Sequence, residues 1–303
     1  MFSIYKRLAH KFYWAIHWRL LKLYPYWVRL YLCWIRLCLE FRWYTSGEGR
    51  HHQLSGKLIV SLTSYSPRFN TLALTLRSLL RQTVAADHII LWIAHADMQY
   101  LPESVLTLQK SGLEIRATDD IKSYKKIIPA LVLFPDAFIC TADDDIYYHA
   151  TWLEELMDGV SQTNNIVTCH RAHEITLDKQ GKFNPYNKWI LETPRREISF
   201  NFFPTSGAGA LYPPKSFFHD VTDSKIFLEL CPNADDIWLY WMGRLAGASY
   251  KTIGRKRPVI NWEGSQDVAL YKDNLFQGGN DKQIIKIVEK YGYPTINAVE
   301  ILP

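Results

Sequence analysis

The stretch "FICTADDDIYYH", residues 138–149, is the segment that most directly indicates the fold of this chain. A short apolar run ends there in three consecutive carboxylates, Asp143, Asp144 and Asp145. Neighbouring carboxylates repel one another, and burial raises the cost of keeping them ionised. Three of them at the end of a buried strand therefore predict that something cationic lies beside them.

Strand patterns alternate with helical patterns from residue 57 up to these carboxylates. The strands recur about every 25 to 30 residues, as is typical of βαβ units on a parallel sheet. Ligands bind outside the carboxyl ends of the strands in such sheets. The predicted strands are 57–62, 88–93, 113–118 and 137–142, and the predicted helices are 67–83, 102–112 and 123–134, the last bent at Pro129.

Beyond residue 160 the pattern is less regular and is richer in aromatic residues and proline. It predicts a strand over 166–175 and a surface rich in glycine and proline over 202–214. Helices are predicted over 233–247 and over 280–292.

Polar groups follow three of the four early strands. Thr63-Ser64-Tyr65 follows the first, Asp119-Asp120 follows the third, and the carboxylates follow the fourth. Alternate side chains share a face, so Asp143 and Asp145 are expected to point together and Asp144 elsewhere. Two such carboxylates suit Mg²⁺ or Mn²⁺ bridging a diphosphate. The alternative is an acidic turn capping a helix over residues 149–160.

Five segments, taken in order, resemble the bacterial GT-A glycosyltransferases, close to the family 2 type used for surface polysaccharides. The resemblance covers roughly residues 57–250. It implies a Rossmann-like, mostly parallel sheet flanked by helices, a nucleotide-sugar donor (a UDP-sugar), and Mn²⁺ or Mg²⁺ held by Asp143 and Asp145. The segments are "IVSLTSYSPRF", "DIKSYKKIIPAL", "TADDDIYY", "TSGAGALYPP" and "NADDIWLYWM".

The resemblance also implies a catalytic base on the later acidic pair, Asp235-Asp236. Asp236 matches the second position of the family's acidic dipeptide, whereas the first position, usually Glu, is Asp235 here. Inverting transfer needs a carboxylate facing the anomeric carbon from the side opposite the leaving group. The alternative for either residue is a helix N-cap that favours the helix dipole.

The donor contacts implied by the resemblance lie at the strand ends and in a glycine-rich loop. Arg68 could instead lie on a solvated helix face, and the loop could be an ordinary one. Lys125 and Lys126 are predicted to begin a helix, where cations oppose the dipole, so an anionic ligand would explain them. A metal pair at His170 and His173 is weighed against a core or substrate-contact role. The implied donor contacts are Thr63, Tyr65, Arg68, Asp120, Lys125, Asp144, Gly207 and Gly209.

The amino-terminal 44 residues differ in charge from the rest of the chain. They carry eight Lys and Arg against one acid, a net +7, whereas the whole chain carries +5. The composition predicts amphipathic helices on an anionic membrane surface, because Trp and Tyr favour the interface and basic residues favour anionic lipid. The alternative is a helix pair docked on the protein or in a dimer. After Pro25 one helical face carries Trp27, Leu30, Tyr31, Trp34, Leu37, Cys38 and Phe41.

The sequence therefore predicts residues 1–44 as the membrane-association segment, 45–56 as a linker and 57–303 as the transferase domain. Within that domain, 57–160 is the expected nucleotide-binding half and 161–303 the acceptor-binding half. Five cysteines without a CxxC pair indicate a reducing compartment. The expected location is the cytoplasmic face of the bacterial inner membrane, as a peripheral protein.

The expected function is metal-dependent transfer of a sugar from a nucleotide-sugar to a lipid-linked, lipopolysaccharide or capsule glycan acceptor. One alternative is a metal-dependent nucleotidyltransferase or nucleotide-diphosphate hydrolase. Another is a non-catalytic membrane scaffold, which leaves the triple aspartate unexplained. GxGxxG and GxxxxGK[ST] patterns are absent, which argues against a dehydrogenase or kinase. No nucleic-acid partner is expected.

Overall fold

A computed structural model describes residues 26–160, 165–254, 257–265 and 278–294. The chain divides into two compact units, Met1–Ser46 and Gly47–Pro303. Residues 26–45 of the first unit are helical and are called α1. Across the described part of the chain, no helix is both long enough and apolar enough to span a membrane.

Most of the apolar face predicted for α1 is exposed. Trp27 is 63 % exposed, Trp34 is 59 % exposed and Leu37 is 69 % exposed, whereas Ile35 and Leu39 are buried. With Leu30 and Phe41, which are also exposed, these residues recur three or four positions apart and form one stripe along the helix.

The second unit is built on an eight-stranded sheet and a two-stranded ribbon. Seven helices lie within its described residues: α2 (Phe69–Leu80), α3 (Glu103–Leu106), α4 (Ile128–Leu133), α5 (Trp152–Met157), α6 (Ser224–Leu230), α7 (Asp235–Leu245) and α8 (Gly279–Tyr291). The strands are β1 (Leu58–Ser64), β2 (His88–Ala94), β3 (Leu113–Thr118), β4 (Phe138–Ala142), β5 (Ile166–Cys169), β6 (Ala172–Glu174), β7 (Ile198–Ser199), β8 (Phe202–Pro204), β9 (Ala210–Tyr212) and β10 (Ser249–Thr252).

The large sheet has the strand order β3-β2-β1-β4-β9-β5-β10-β7. The first four strands pair in parallel, as does β5 with β10, whereas β9 and β7 run antiparallel to their neighbours. The predicted fold class, α/β with a mostly parallel sheet flanked by helices, is confirmed. β1 and β4, each paired on both sides, are buried along nearly their whole length, as expected for a parallel sheet covered on both faces.

Two predicted helices are interrupted. The helix predicted over 102–112 consists of α3 and a 3₁₀ turn, and it ends at Gly112, whose φ of 95° suits glycine. Within the helix predicted over 123–134, Ile127 at φ −135° separates a 3₁₀ turn, Lys122–Lys126, from α4. Lys125 and Lys126 therefore end a turn and do not begin a helix, which removes the dipole argument for an anionic ligand there. The turn after α3 is Thr107–Ser111, and the other 3₁₀ turns in the described residues are Ser66–Arg68, His95–Tyr100, Tyr186–Lys188, Ser206–Ala208 and His219–Thr222.

The carboxyl-terminal half departs further from the sequence pattern. The predicted strand over 166–175 is two strands, because β5 joins the large sheet and β6 pairs with β8 in the ribbon. Periodicity alone does not show that a chain changes sheets between two strands. α7 matches its prediction, and Trp238, Trp241 and Met242 are fully buried in the core.

All five cysteines are free. Cys140, Cys169 and Cys231 are buried, and burial raises the pKa of each thiol above its ordinary value. These three are therefore unreactive core residues.

Candidate active site

The site begins where β1 and β4 end side by side. The two strands pair in parallel with Leu62 opposite Ala142, so the residues that follow them emerge at one edge of the sheet. Ser64 donates a hydrogen bond of 2.6 Å from Oγ to Asp144. The three aspartates continue from β4 at this edge. The next helix, α5, begins only at Trp152, so the triple aspartate does not cap it.

Arg68 provides part of the cationic partner that the carboxylates require. Its guanidinium lies 2.7 Å from Asp144 Oδ1 and 3.3 Å from Asp145 Oδ2. Burial opposes the charge of Arg68, but the two carboxylates outweigh burial and raise its pKa. The side chain is 15 % exposed, so Arg68 does not lie on a solvated helix face.

Lys126 is the second cation beside the carboxylates, and it connects two parts of the site. Its buried ammonium lies 3.1 Å from Asp143 Oδ1 and 2.8 Å from Asp235 Oδ2. Burial opposes this charge too, but Asp143, Asp235 and Asp236 outweigh it and raise the pKa of Lys126 well above its ordinary value. One lysine thus holds the aspartate after β4 next to the acidic start of α7.

These contacts divide the three aspartates differently from simple alternation. Asp144 and Asp145 share Arg68, whereas Asp143 faces Lys126. The chain turns at residues 144–145, and side chains alternate regularly only in an extended strand.

Asp236 is held by the glycine-rich loop. The backbone N–H of Ser206 donates a 3.1 Å hydrogen bond to Asp236 Oδ1, and the Ser206 hydroxyl donates to the same oxygen. Burial and, next, the charge of Asp235 raise the pKa of Asp236 to about 6. Ala234 is the N-cap of α7 and no side chain caps the helix, so neither aspartate has the capping role.

The loop packs closely against the carboxylates. A Cβ at Gly207 would lie 1.9 Å from Asp143 Oδ2, and one at Gly209, where φ is 114°, would lie 2.4 Å from Trp152 Nε1. Tyr148 accepts a 2.8 Å hydrogen bond from the backbone N–H of Asp143 and donates one of 2.6 Å to the Gly207 carbonyl. The protein's own packing therefore requires both glycines, and their contact with a sugar stays a prediction.

The other predicted donor contacts lie around this centre. Thr63 donates a 2.8 Å hydrogen bond to the Trp92 carbonyl, so its hydroxyl serves the sheet. Tyr65 is 36 % exposed, and its ring centroid lies 5.9 Å from the Arg68 guanidinium.

The two predicted contacts after β3 form an ion pair. Lys125 is buried and its ammonium bonds to Asp120, whose side chain is 67 % exposed. The hydrogen bond from Lys125 is the main cause that lowers the pKa of Asp120. Asp120 therefore presents an ionised carboxylate to solvent near the sheet edge.

The residues predicted to hold a divalent cation have suitable chemistry. Asp143 and Asp145 offer carboxylate oxygens, the ligands that Mg²⁺ and Mn²⁺ prefer. The Asp143 side chain is 37 % exposed, so it is accessible to a ligand, and its carboxylate lies directly against Gly207. The donor set fits a hard cation, although Arg68 and Lys126 already balance much of the negative charge.

Sequence reasoning missed the contacts of three residues that organise the site. Lys126, expected to meet an anionic ligand, bridges two carboxylates of the protein itself. Ser206, which holds Asp236, and Tyr148, which ties Asp143 to the loop, were not singled out. Each lies inside a quoted motif, yet its partners are distant in sequence, so no local pattern shows the contact. His170 and His173 do not pair, since His173 stacks on Phe203 with ring centroids 6.4 Å apart.

No family model and no curated protein matches this chain. Among solved structures it is similar to 4-diphosphocytidyl-2C-methyl-D-erythritol synthase from Anaerococcus prevotii, with 14 % identity, a TM-score of 0.42, and coverage of 75 % of this chain and 96 % of that one. It is also similar to TarS 1-349 from S. aureus in complex with UDP, with 11 % identity, a TM-score of 0.45, and coverage of 77 % and 65 %.

A third similar structure is the inositol-1-phosphate CTP transferase from T. maritima. It is 11 % identical, with a TM-score of 0.40 and coverage of 80 % of this chain and 98 % of that one. Likenesses at these scores carry no argument about activity, which has to come from the site itself.

Proposed function

We propose that this chain is a glycosyltransferase that takes a sugar from a nucleotide-sugar donor. The observation that carries the proposal is the bridge formed by Lys126. It holds Asp143, at the edge of the sheet where a donor is expected, beside Asp235 and the start of α7. This contact supports a donor carboxylate and a basic carboxylate acting side by side, as sugar transfer to a hydroxyl requires.

Asp236 suits the role of base in this reaction. Its pKa of about 6 leaves it ionised at neutral pH and a stronger base than an ordinary aspartate. It would accept the proton of the acceptor hydroxyl while that oxygen attacks the anomeric carbon and the nucleoside diphosphate leaves. Ser206 holds one carboxylate oxygen in place for this step. Asp235, in contact with Lys126, is the less suitable base.

The donor would bind along the sheet edge. Asp143 and Asp145 would hold Mg²⁺ or Mn²⁺, which supplies positive charge against a diphosphate when bound. The exposed ring of Tyr65 offers a face for a nucleobase, and Asp120 offers an acceptor for donor hydroxyls. We infer a UDP-sugar as the donor class from the sequence resemblance.

The acceptor we propose is a lipid-linked, lipopolysaccharide or capsule glycan at the cytoplasmic face of the bacterial inner membrane. The support is the exposed apolar stripe of α1 with its tryptophans and the basic charge of residues 1–44. Such a helix binds in the plane of the interface, where its apolar face replaces water with acyl chains. The protein would then meet an acceptor embedded in the same surface.

A nucleotidyltransferase is the second candidate, because Arg68 and Lys126 near the carboxylates also suit a nucleoside triphosphate. The two functions differ in the product released. Purified protein is incubated with Mn²⁺ and, in one arm, nucleotide-sugars with a membrane-extracted glycan acceptor. In the other arm it receives nucleoside triphosphates with a panel of sugar phosphates. Release of nucleoside diphosphate with sugar transferred supports the proposal. Release of pyrophosphate alone would replace it with the second candidate.

A further inference from the structure

A second group of metal-binding side chains lies outside the carboxylate site. One ligand atom from each of His149, Glu155 and His170 lies within 4.8 Å of the other two. His149 Nε2 and His170 Nδ1 are each 3.9 Å from Glu155 Oε2. The three residues come from the segment around α5 and from the end of β5, so the fold itself brings them together.

The second nitrogen of each imidazole ring has a partner elsewhere. His170 Nε2 lies 2.9 Å from the Trp152 carbonyl, and His149 Nδ1 lies 3.1 Å from Thr151 Oγ1. A carbonyl oxygen only accepts, so Nε2 of His170 carries the proton, and Nδ1 of a neutral ring presents its lone pair to the cluster. Metal-binding histidines are oriented in this way, with the distant N–H given to a carbonyl or carboxylate.

Glu155 provides the observation that points to a bound cation. Its Oε1 accepts hydrogen bonds from the Thr151 hydroxyl at 2.8 Å and from Arg257 at 2.9 Å. Its Oε2, which faces the histidines, is buried without a hydrogen-bond partner. A buried carboxylate oxygen without a partner is costly, and such an atom calls for an ion or a donor. Gly254 adds no side chain there, and a Cβ would lie 2.3 Å from that oxygen.

We propose that His149, Glu155 and His170 bind a transition-metal cation of the Zn²⁺ class. Two imidazole nitrogens and one carboxylate oxygen are a common zinc ligand set that leaves a fourth position open. Donor atoms around tetrahedral zinc are about 3.4 Å apart, so the observed 3.9 Å separations need only small side-chain rotations. Imidazole ligands disfavour Mg²⁺, which separates this site from the one predicted at Asp143 and Asp145.

The charges around the cluster are compatible with such a cation. Arg257 bonds the outer oxygen of Glu155 and leaves the inner one for a metal. Both histidines line a small cleft of about 70 Å³, together with Arg171, Arg196 and Arg257. These arginines would lower the affinity for a cation and would draw an anionic group toward the open coordination position.

The test is a calorimetric titration of the full-length, EDTA-treated protein with ZnCl₂. We expect one ion per chain, and affinity reduced at least about tenfold in both Glu155→Gln and His170→Gln. His173→Gln is the matched control, because this half-buried histidine in β6 lies outside the cluster, and it should keep wild-type affinity. Zinc binding unchanged by the two ligand variants, or absent from the wild type, would overturn the proposal.

Two further measurements test the geometry of the site and distinguish it from the carboxylate site. Wild-type protein loaded with Co²⁺ should show the visible absorption of a tetrahedral site, and Zn²⁺ should displace it. Because this needs no variant, an absent band counts against the site even where a variant fails to fold. Asp143→Asn should keep zinc binding. Its loss there would place the ion at the carboxylate site and contradict the proposal.

Discussion

At the scale of single residues, the site depends on how a few buried charges are balanced. Asp236 accepts two hydrogen bonds from Ser206 but has Asp235 as its neighbour, and its pKa is raised to about 6. Its ionised form is therefore less stable in the folded protein than in water. Functional sites often carry such a cost, which is one reason to assign Asp236 a role in the reaction.

The pH dependence of activity follows from that pKa. Below about pH 6 Asp236 is protonated and is no base, so kcat/KM should fall about tenfold per pH unit. Above pH 7 the rate should be level. Asp236→Asn should reduce transfer by at least about a hundredfold and leave nucleotide affinity nearly unchanged. A wild-type profile without a limb near pH 6, or an active Asp236→Asn, would mean that the base is elsewhere.

Whereas activity should rise with pH, the contribution of Asp236 to stability should fall as pH rises. A carboxyl whose folded pKa is raised loses stability as pH rises from about 4, its unfolded pKa, through about 6. Asp236→Asn should therefore raise the free energy of unfolding at pH 7.5 by roughly 1–3 kcal/mol, and this gain should vanish near pH 4. Denaturant unfolding at the two pH values measures it. An equal increase in the free energy of unfolding at both pH values would exclude ionisation of Asp236 as the cause.

The adjacent lysines Lys125 and Lys126 form a matched pair. Lys126→Met leaves Asp143 and Asp235 without their shared cation, and we expect a loss of about 3–5 kcal/mol of stability. Lys125→Met removes a partner only from the exposed Asp120, and its cost should be below about 1 kcal/mol. Urea unfolding compares them. Similar losses for both variants would contradict the bridging role of Lys126.

At the scale of elements, local periodicity predicted where the strands lie better than which strands pair with each other. β1 to β4 lie within two residues of their predicted bounds, because apolar runs and the turns between them are local signals. The division of 166–175 into β5 and β6 was missed, since sheet membership depends on residues far away in the chain. The same limit explains why the sequence identified Asp143 and Asp236 separately but did not show the lysine between them.

The apolar stripe of α1 carries a prediction of its own. Trp27→Glu with Trp34→Glu should reduce sedimentation with vesicles that contain anionic lipid, because both side chains are exposed on the stripe. The control is Glu40→Gln, which changes a partly exposed residue of α1 off the stripe and should keep vesicle binding. Vesicle binding that the double variant retains in full would argue against membrane attachment through this face.

At the scale of the whole molecule, the sheet edge joins the amino-terminal half of the large unit to its carboxyl-terminal half. Asp143 to Asp145 come from the parallel strands, and Asp236 comes from a helix packed in the second half. The resemblance in sequence predicted this division of roles, and the parallel sheet confirms the fold class. The substrates and the metal remain proposals that binding experiments can test.

The most direct test is calorimetric titration of the purified protein with nucleoside diphosphates and nucleotide-sugars, with and without Mn²⁺. It is repeated with Asp143→Ala and with Asp145→Ala, after both variants are shown to be folded. The proposed function predicts Mn²⁺-dependent binding of one nucleotide-sugar class, weakened at least about tenfold in both variants. Absence of binding under every condition, or wild-type affinity in both variants, would contradict a donor site at the triple aspartate.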